Sequence, residues 1–284
     1  MEALAWFGIV MLVVLVEATM VVAYARASYA ATLTNERNAW WLRGCVGRRL
    51  GTLVLSGLMQ LGRVAGQSHF AATMRDVALA KAAALEAEPP AKNSVCFIGS
   101  STFTYWTNLA RDIAAADPSL GASCFNAAFG GSCTTHLLAH IDALCTQWKP
   151  RVVVYFCGTN DLNFAFPDAS DPLDGFAAFL QALRAASPST PVVYLAATIT
   201  PFVEERGFEV VARYTAHNNA VAAFCAAQGA VEFVPSAPFQ GQLLYYLGDN
   251  HHLNAAGHAA LGALLAPAVR RAVEHADQLA GLAS

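Results

Sequence analysis

From Ser94 onward the chain alternates short, unbroken apolar runs with longer mixed stretches. The runs are 94–98 (SVCFI), 151–156 (RVVVYF), 191–196 (PVVYLA) and 230–234 (AVEFV), with a weaker one near 122–126. Between and after them lie helical patterns near 132–147, 172–186, 207–228 and 255–280. Strands that show no polar alternation are buried on both faces, and regular alternation with helices predicts a parallel sheet covered on each side. The expected fold class is therefore α/β, three layers in the order α/β/α, over residues 94–284. In such sheets ligands bind beyond the carboxyl ends of the strands, so the loop after each run is where chemistry is expected.

The first 93 residues are patterned differently. Ala3 to Ala25 is apolar apart from Glu17, and about 20 such residues suffice to cross a bilayer. A transmembrane helix over 1–27 is the expectation. A cleaved signal peptide competes, because Ala-x-Ala triplets occur at Ala23–Ala25 and Ala25–Ala27; a buried core helix is the third reading. Against a signal peptide, the start is Met1-Glu2 rather than basic, and the apolar run exceeds the usual ~7–15 residues. Arg26, Arg37, Arg43, Arg48, Arg49 and Arg63 follow the run against the single acid Glu36. The positive-inside rule then places this flank, and the domain after it, on the cytoplasmic or equivalent reducing side of a single-pass protein. Glu17 at membrane depth is costly against lipid, so its helix face is expected to meet other subunits of a membrane complex. Residues 28–93 read as a membrane-proximal extension: a Gly-rich interfacial or packing helix at 50–66, a plain helix at 71–88, and a linker opened by Pro89-Pro90.

Composition adjusts this picture modestly. Over half the residues are hydrophobic (56%) and 13% are charged, well under the usual ~25%, consistent with surface facing lipid or protein. A net charge of −3 without a basic run gives no reason to expect a nucleic-acid partner. The seven cysteines, Cys45, Cys96, Cys124, Cys133, Cys145, Cys157 and Cys225, form no CxxC pair. Their odd count and scatter fit a reducing compartment better than a disulfide framework.

The loops after the strands carry the informative residues. They are Gly99-Ser100-Ser101-Thr102, then Asn126 to Ser132 with Gly130-Gly131, then Gly158-Thr159-Asn160-Asp161, and finally Asp249-Asn250-His251-His252-Leu253-Asn254 before the last helix. Taken singly, each has an ordinary role. Ser101, Asp249 and Asn254 suit helix caps, Asn160-Asp161 suits an Asx turn, and the paired histidines suit a polar surface. Together and in this order they resemble the SGNH (GDSL-like) hydrolase family across roughly residues 94–270. The departure is in the first block, where Gly99-Ser100-Ser101 stands in place of Gly-Asp-Ser.

The resemblance implies an SGNH, flavodoxin-like sheet and a catalytic triad of Ser101, Asp249 and His252. It also implies an oxyanion hole made by the backbone N–H groups of Ser101 and Gly131 and the side-chain amide of Asn160. The chemistry suits these residue types. A serine hydroxyl needs a base to take its proton, and Asp249, three residues before His252, can orient that ring. His251 is the competing base, but Asp-x-x-His spacing selects His252. The expected function is a serine-dependent carboxylic-ester hydrolase of esterase or lipase type, anchored to a membrane and acting on an acyl-ester or lipid-like small substrate. The alternative is a structural accessory subunit of a membrane complex that retains the hydrolase fold.

No cofactor is implied. His136 and His140 are spaced i,i+4 but lack a third ligand and the glutamate of a zincin motif, so no metal is expected. Segment Thr198–Gly207 is expected to rim the pocket, and loop 162–171 to form a lid. Phe103, Trp106 and Phe129 suit either an acyl slot or core packing.

Overall fold

The computed structural model describes residues 67–120, 124–163 and 171–282. The expected span at 3–25, Glu17, the segment 50–66 and most of the expected lid lie outside them. Among the described residues no helix is long and apolar enough to cross a membrane.

In chain order the elements are α1 (Gln67–Ala87), β1 (Val95–Gly99), α2 (Ser101–Thr104), α3 (Leu109–Ala116), β2 (Cys124–Asn126), α4 (Thr134–Ala139) and α5 (Ile141–Leu144). They continue with β3 (Val152–Phe156), α6 (Thr159–Asn163), α7 (Pro172–Ala186), β4 (Val192–Leu195), α8 (Pro201–Glu205), α9 (Phe208–Ala226), β5 (Val231–Val234) and α10 (Ala255–Leu282). The five strands form one sheet in the order β2-β1-β3-β4-β5, and every pairing is parallel. This is the doubly wound order whose topological switch lies between β1 and β3.

Alternation along the buried strands divides the core in two. Phe97, Val154, Phe156 and Val193 face α3 and α10. Cys96, Ile98, Val153, Tyr155 and Tyr194 face α1, α4, α5, α7 and α9. Both faces are covered, hence the uninterrupted apolar strands. On the second face Ala78, Ala82 and Leu85 of α1 join the same cluster as the sheet. Helix α1 therefore packs onto the hydrolase sheet itself.

Two local readings differ from the sequence pattern. The stretch 132–147 is not one helix but α4, α5 and a 3-10 turn at Thr146–Trp148. The break falls at His140, whose φ of −124° leaves the helical region. Helix α3, between β1 and β2, lay in a stretch whose pattern gave no separate helix. It buries Leu109 and Ile113, one i,i+4 pair in an eight-residue helix, shorter than the stretches on which the helical pattern is read.

Candidate active site

The site begins where β1 ends. Gly99 lies so close to β3 that a Cβ there would sit 2.0 Å from the Phe156 carbonyl oxygen. Only glycine lets the two strands pair to their last residue. The Ser100 amide donates to that same carbonyl at 3.1 Å. The Ser100 carbonyl then accepts the amides of Phe103 and Thr104, and the chain turns into α2. Ser100 is buried, and Ser101 emerges as the first residue of the helix.

Ser101 Oγ lies 3.0 Å from His252 Nε2. His252 Nδ1 lies 2.5 Å from Asp249 Oδ2. The loop that makes this possible is local. The amides of His251 and His252 both donate to Asp249 Oδ1 at 3.0 Å. Asn250, between Asp249 and His251, adopts a left-handed φ of 59°, which asparagine tolerates better than most residues. The His252 carbonyl accepts the Leu247 amide at 2.8 Å, closing the turn from the other side.

Burial alone would raise the Asp249 pKa. The attraction of His252, its ring hydrogen bond and the two loop amides outweigh burial and hold the carboxyl well below the usual carboxylate range. An ionised Asp249 favours the tautomer with its proton on Nδ1, leaving the Nε2 lone pair towards Ser101. His251 is placed elsewhere. Its Nδ1 is 3.3 Å from Thr200 Oγ1, and its ring meets Phe202 edge-on. Burial, with the charges of His252 and Arg206, pushes its pKa down to about 3. It is neutral near pH 7, and its ring sits edge-on beside that of His252, at 5.0 Å between centroids.

The loops after β2 and β3 are tied to the Ser101 loop. The Phe129 amide and the Ser132 hydroxyl both donate to the Gly99 carbonyl, at 3.1 and 3.0 Å. Asn160 Nδ2 donates to the Ser132 carbonyl at 2.8 Å, leaving its second N–H for another acceptor. Asp161 is buried and accepts the Thr134 amide at 3.0 Å and the Thr134 hydroxyl at 2.7 Å. Gly131 takes a left-handed φ of 79°, and a Cβ there would meet Met74 Sδ of α1 at 3.4 Å. The carboxyl edge thus gathers Ser101 after β1, Gly131 after β2 and Asn160 after β3, around the switch point.

A model of the GDSL-like lipase/acylhydrolase family matches residues 95–260. The chain belongs to this family. Its members are hydrolases. Solved structures with a similar fold include a GDSL-like lipase from Bacteroides thetaiotaomicron, with 18% identity and a TM-score of 0.56, covering 70% of this chain and 98% of that one. Another is a carbohydrate esterase family 3 protein from Talaromyces cellulolyticus, with 18% identity and a TM-score of 0.52, covering 64% of this chain and 98% of that one. No curated protein matches the chain.

Against this family frame, other expectations resolve individually. Phe103, Trp106 and Phe129 are all buried. Phe103 and Trp106 pack on Phe97 of β1, so they are core rather than an acyl slot. Trp106 also stacks on His258, whose ring nitrogen is 3.1 Å from the Thr102 carbonyl. His136 Nδ1 accepts the Cys133 amide at the start of α4, a capping role. Among the described residues no group of three or more His, Cys, Asp or Glu is placed to hold a metal. Segment Thr198–Gly207 packs against the catalytic turn, with the Phe202 amide donating to the Asn250 carbonyl at 3.0 Å.

Two residues at the site went unnoticed in the sequence. Tyr105 presents its ring to His252 edge-on at 4.9 Å and remains half exposed. Its position four residues after Ser101, one helical turn on, was the available signal. Met74 belongs to a stripe with Ala78, Ala82 and Leu85 that an alanine-rich helix conceals.

Proposed function

We propose that this chain is a serine-dependent carboxylic-ester hydrolase acting on an acyl-ester or lipid-like small substrate. The observation that carries the reading is the continuous relay from Ser101 Oγ through His252 to Asp249, at 3.0 and 2.5 Å. In this reading Ser101 Oγ attacks the ester carbonyl carbon as its proton passes to His252 Nε2. The carbonyl π electrons move to oxygen, and that oxyanion is held by the Ser101 and Gly131 amides and by Asn160 Nδ2. Collapse expels the alcohol, which takes the proton from Nε2. Water, deprotonated by the same nitrogen, then releases the acid and restores Ser101.

The reading extends to organisation. Residues 94–284 are the hydrolase domain, 28–93 a membrane-proximal extension, and 1–27 a single-pass anchor with the catalytic domain on the cytoplasmic or equivalent side. The apolar run Ala3–Ala25 and the arginines after it support this. The helix face bearing Glu17 would meet another subunit if the chain sits in a complex.

The test is hydrolysis of short p-nitrophenyl esters by purified protein and by Ser101→Ala. Activity in the wild type and its loss in the variant are expected. Equal rates in the two would rule out Ser101 as nucleophile, and a wild type inactive on every ester would favour the accessory-subunit reading. Retention of the full-length chain in membranes after carbonate extraction is expected for the anchor; release would contradict it.

A further inference from the structure

The direction of α1 has a consequence for how the site meets its substrate. Met74, one third of the way along, lies against Gly131 at the carboxyl edge of the sheet. Leu85 and Ala87 lead to Pro89-Pro90 and then to Val95, where β1 starts at the opposite edge. Helix α1 thus runs antiparallel to the strands. Its first seven residues reach about 10 Å past the oxyanion loop, at 1.5 Å per residue. The described chain therefore begins, at Gln67, on the side where Ser101 opens.

The exposed apolar side chains lie on the same side or on α1. Among the described residues six large hydrophobics are exposed. Tyr105 stands beside His252. Leu243 and Leu244 occupy the turn paired to the catalytic loop, where Asn254 Nδ2 donates to the Leu244 carbonyl at 2.7 Å. Phe208, 85% exposed, opens α9 immediately after α8, the helix that leaves the carboxyl end of β4. The remaining two, Val77 and Leu79, are on α1 itself. Scattered single hydrophobics need no explanation, but four of the six fall on segments at the carboxyl edge of the sheet, the edge where the site opens.

We propose that this rim docks on the lipid bilayer entered by the N-terminal segment, so that Ser101 draws its acyl ester from the membrane rather than from bulk water. The proposal rests on the esterase and anchor reading above and adds an orientation and a substrate source. Charge at the rim is mixed: Glu204, Glu205 and Glu209 lie near Arg206 and Arg213. Contact by apolar insertion therefore fits better than attraction to anionic headgroups, and docking is expected to be insensitive to salt and to occur on phosphatidylcholine.

The experiment reconstitutes the full chain in phosphatidylcholine liposomes that contain a diazirine phosphatidylcholine. It compares wild type with a Phe208→Ser/Leu244→Ser variant on soluble p-nitrophenyl acetate and on a long-chain ester carried in the vesicles. The expected result is an unchanged rate on the soluble ester and at least a tenfold fall on the vesicle-borne one, with wild-type crosslinks in peptides holding Leu243–Leu244 and Phe208. Equal rates on the vesicle-borne ester, or crosslinks confined to residues before Gln67, would overturn the proposal. A self-associated rim that takes up no lipid label would likewise overturn it in favour of a second copy. The crosslink map decides even if the variant misfolds, which a falling soluble rate would reveal. It also decides if the wild type is inactive on every ester, an outcome that defeats the esterase reading separately.

Discussion

The two halves of the site are built by different means. The proton-handling half, Ser101, His252 and Asp249, is nearly self-contained. Four consecutive residues from Asp249 to His252 fold around one carboxylate, the contact to Ser101 completes the relay, and Thr200 and Phe202 brace the turn from outside. The oxyanion half is assembled at a distance. Gly131 and Asn160 are held through Ser132 to Gly99, through Asp161 to Thr134, and by Met74 from a helix outside the family match. The first half depends on local chain geometry, the second on tertiary packing. Substitutions in the first should therefore damage chemistry outright, and substitutions in the second should damage it by degrees.

Ser101→Ala has the largest expected effect, a fall in kcat on the order of 10⁶-fold, as for loss of the nucleophile in other serine hydrolases. Asp249→Asn follows at roughly 10⁴-fold, because an amide can hold His252 in the wrong tautomer; kcat on a short ester measures both. Asn160→Ala should cost roughly 10²–10³-fold in kcat, the usual loss for one oxyanion donor. If Asn160→Ala matched Ser101→Ala, the proposed division between the halves would fail.

The two buried aspartates sharpen the contrast by opposite pH dependences. The Asp249 pKa is depressed in the folded state, so its contribution to stability is complete above the ordinary aspartate range and is lost as pH falls through its folded value. Asp161 is raised, chiefly by burial, against the hydrogen bonds from Thr134. It binds its proton more tightly folded than unfolded, so it subtracts stability as pH rises above the ordinary aspartate range. Thermal melts across acid to neutral pH should show Asp249→Asn losing stability relative to wild type as pH rises, and Asp161→Asn gaining it. The same sign for both would contradict the assigned environments.

The smallest effect on rate is expected from Met74→Ala. It should cost about 2 kcal/mol or more in stability as a truncated buried methionine but lower kcat only severalfold, with Met74→Leu restoring most of both. A kcat loss as large as that of Asn160→Ala would mean that α1 does more than support the Gly131 loop.

The same division explains what could be read from the chain. The parallel sheet was legible because β1, β3 and β4 are buried throughout, and buried strands write unbroken apolar runs. The Asp249–His252 spacing was legible because the relation is three residues long. The broken helix around His140 was not, since its interruption is a backbone angle at a residue that suits a helix equally well. The sequence left Phe103 and Trp106 open between an acyl slot and the core, because an aromatic beside a nucleophile has the same sequence whether it faces the pocket or the core. Here both faced Phe97. The role of Met74 was hidden because contact with Gly131 spans 57 residues and the alanine-rich helix around it is apolar on several sides.

The central claim is that Ser101 is an activated nucleophile, and labelling with a fluorophosphonate probe tests it most directly. The account predicts one adduct per chain, mapped by peptide mass spectrometry to Ser101, absent in Ser101→Ala and strongly slowed in Asp249→Asn. An unlabelled wild type, or an adduct on another residue that persists in Ser101→Ala, would contradict it.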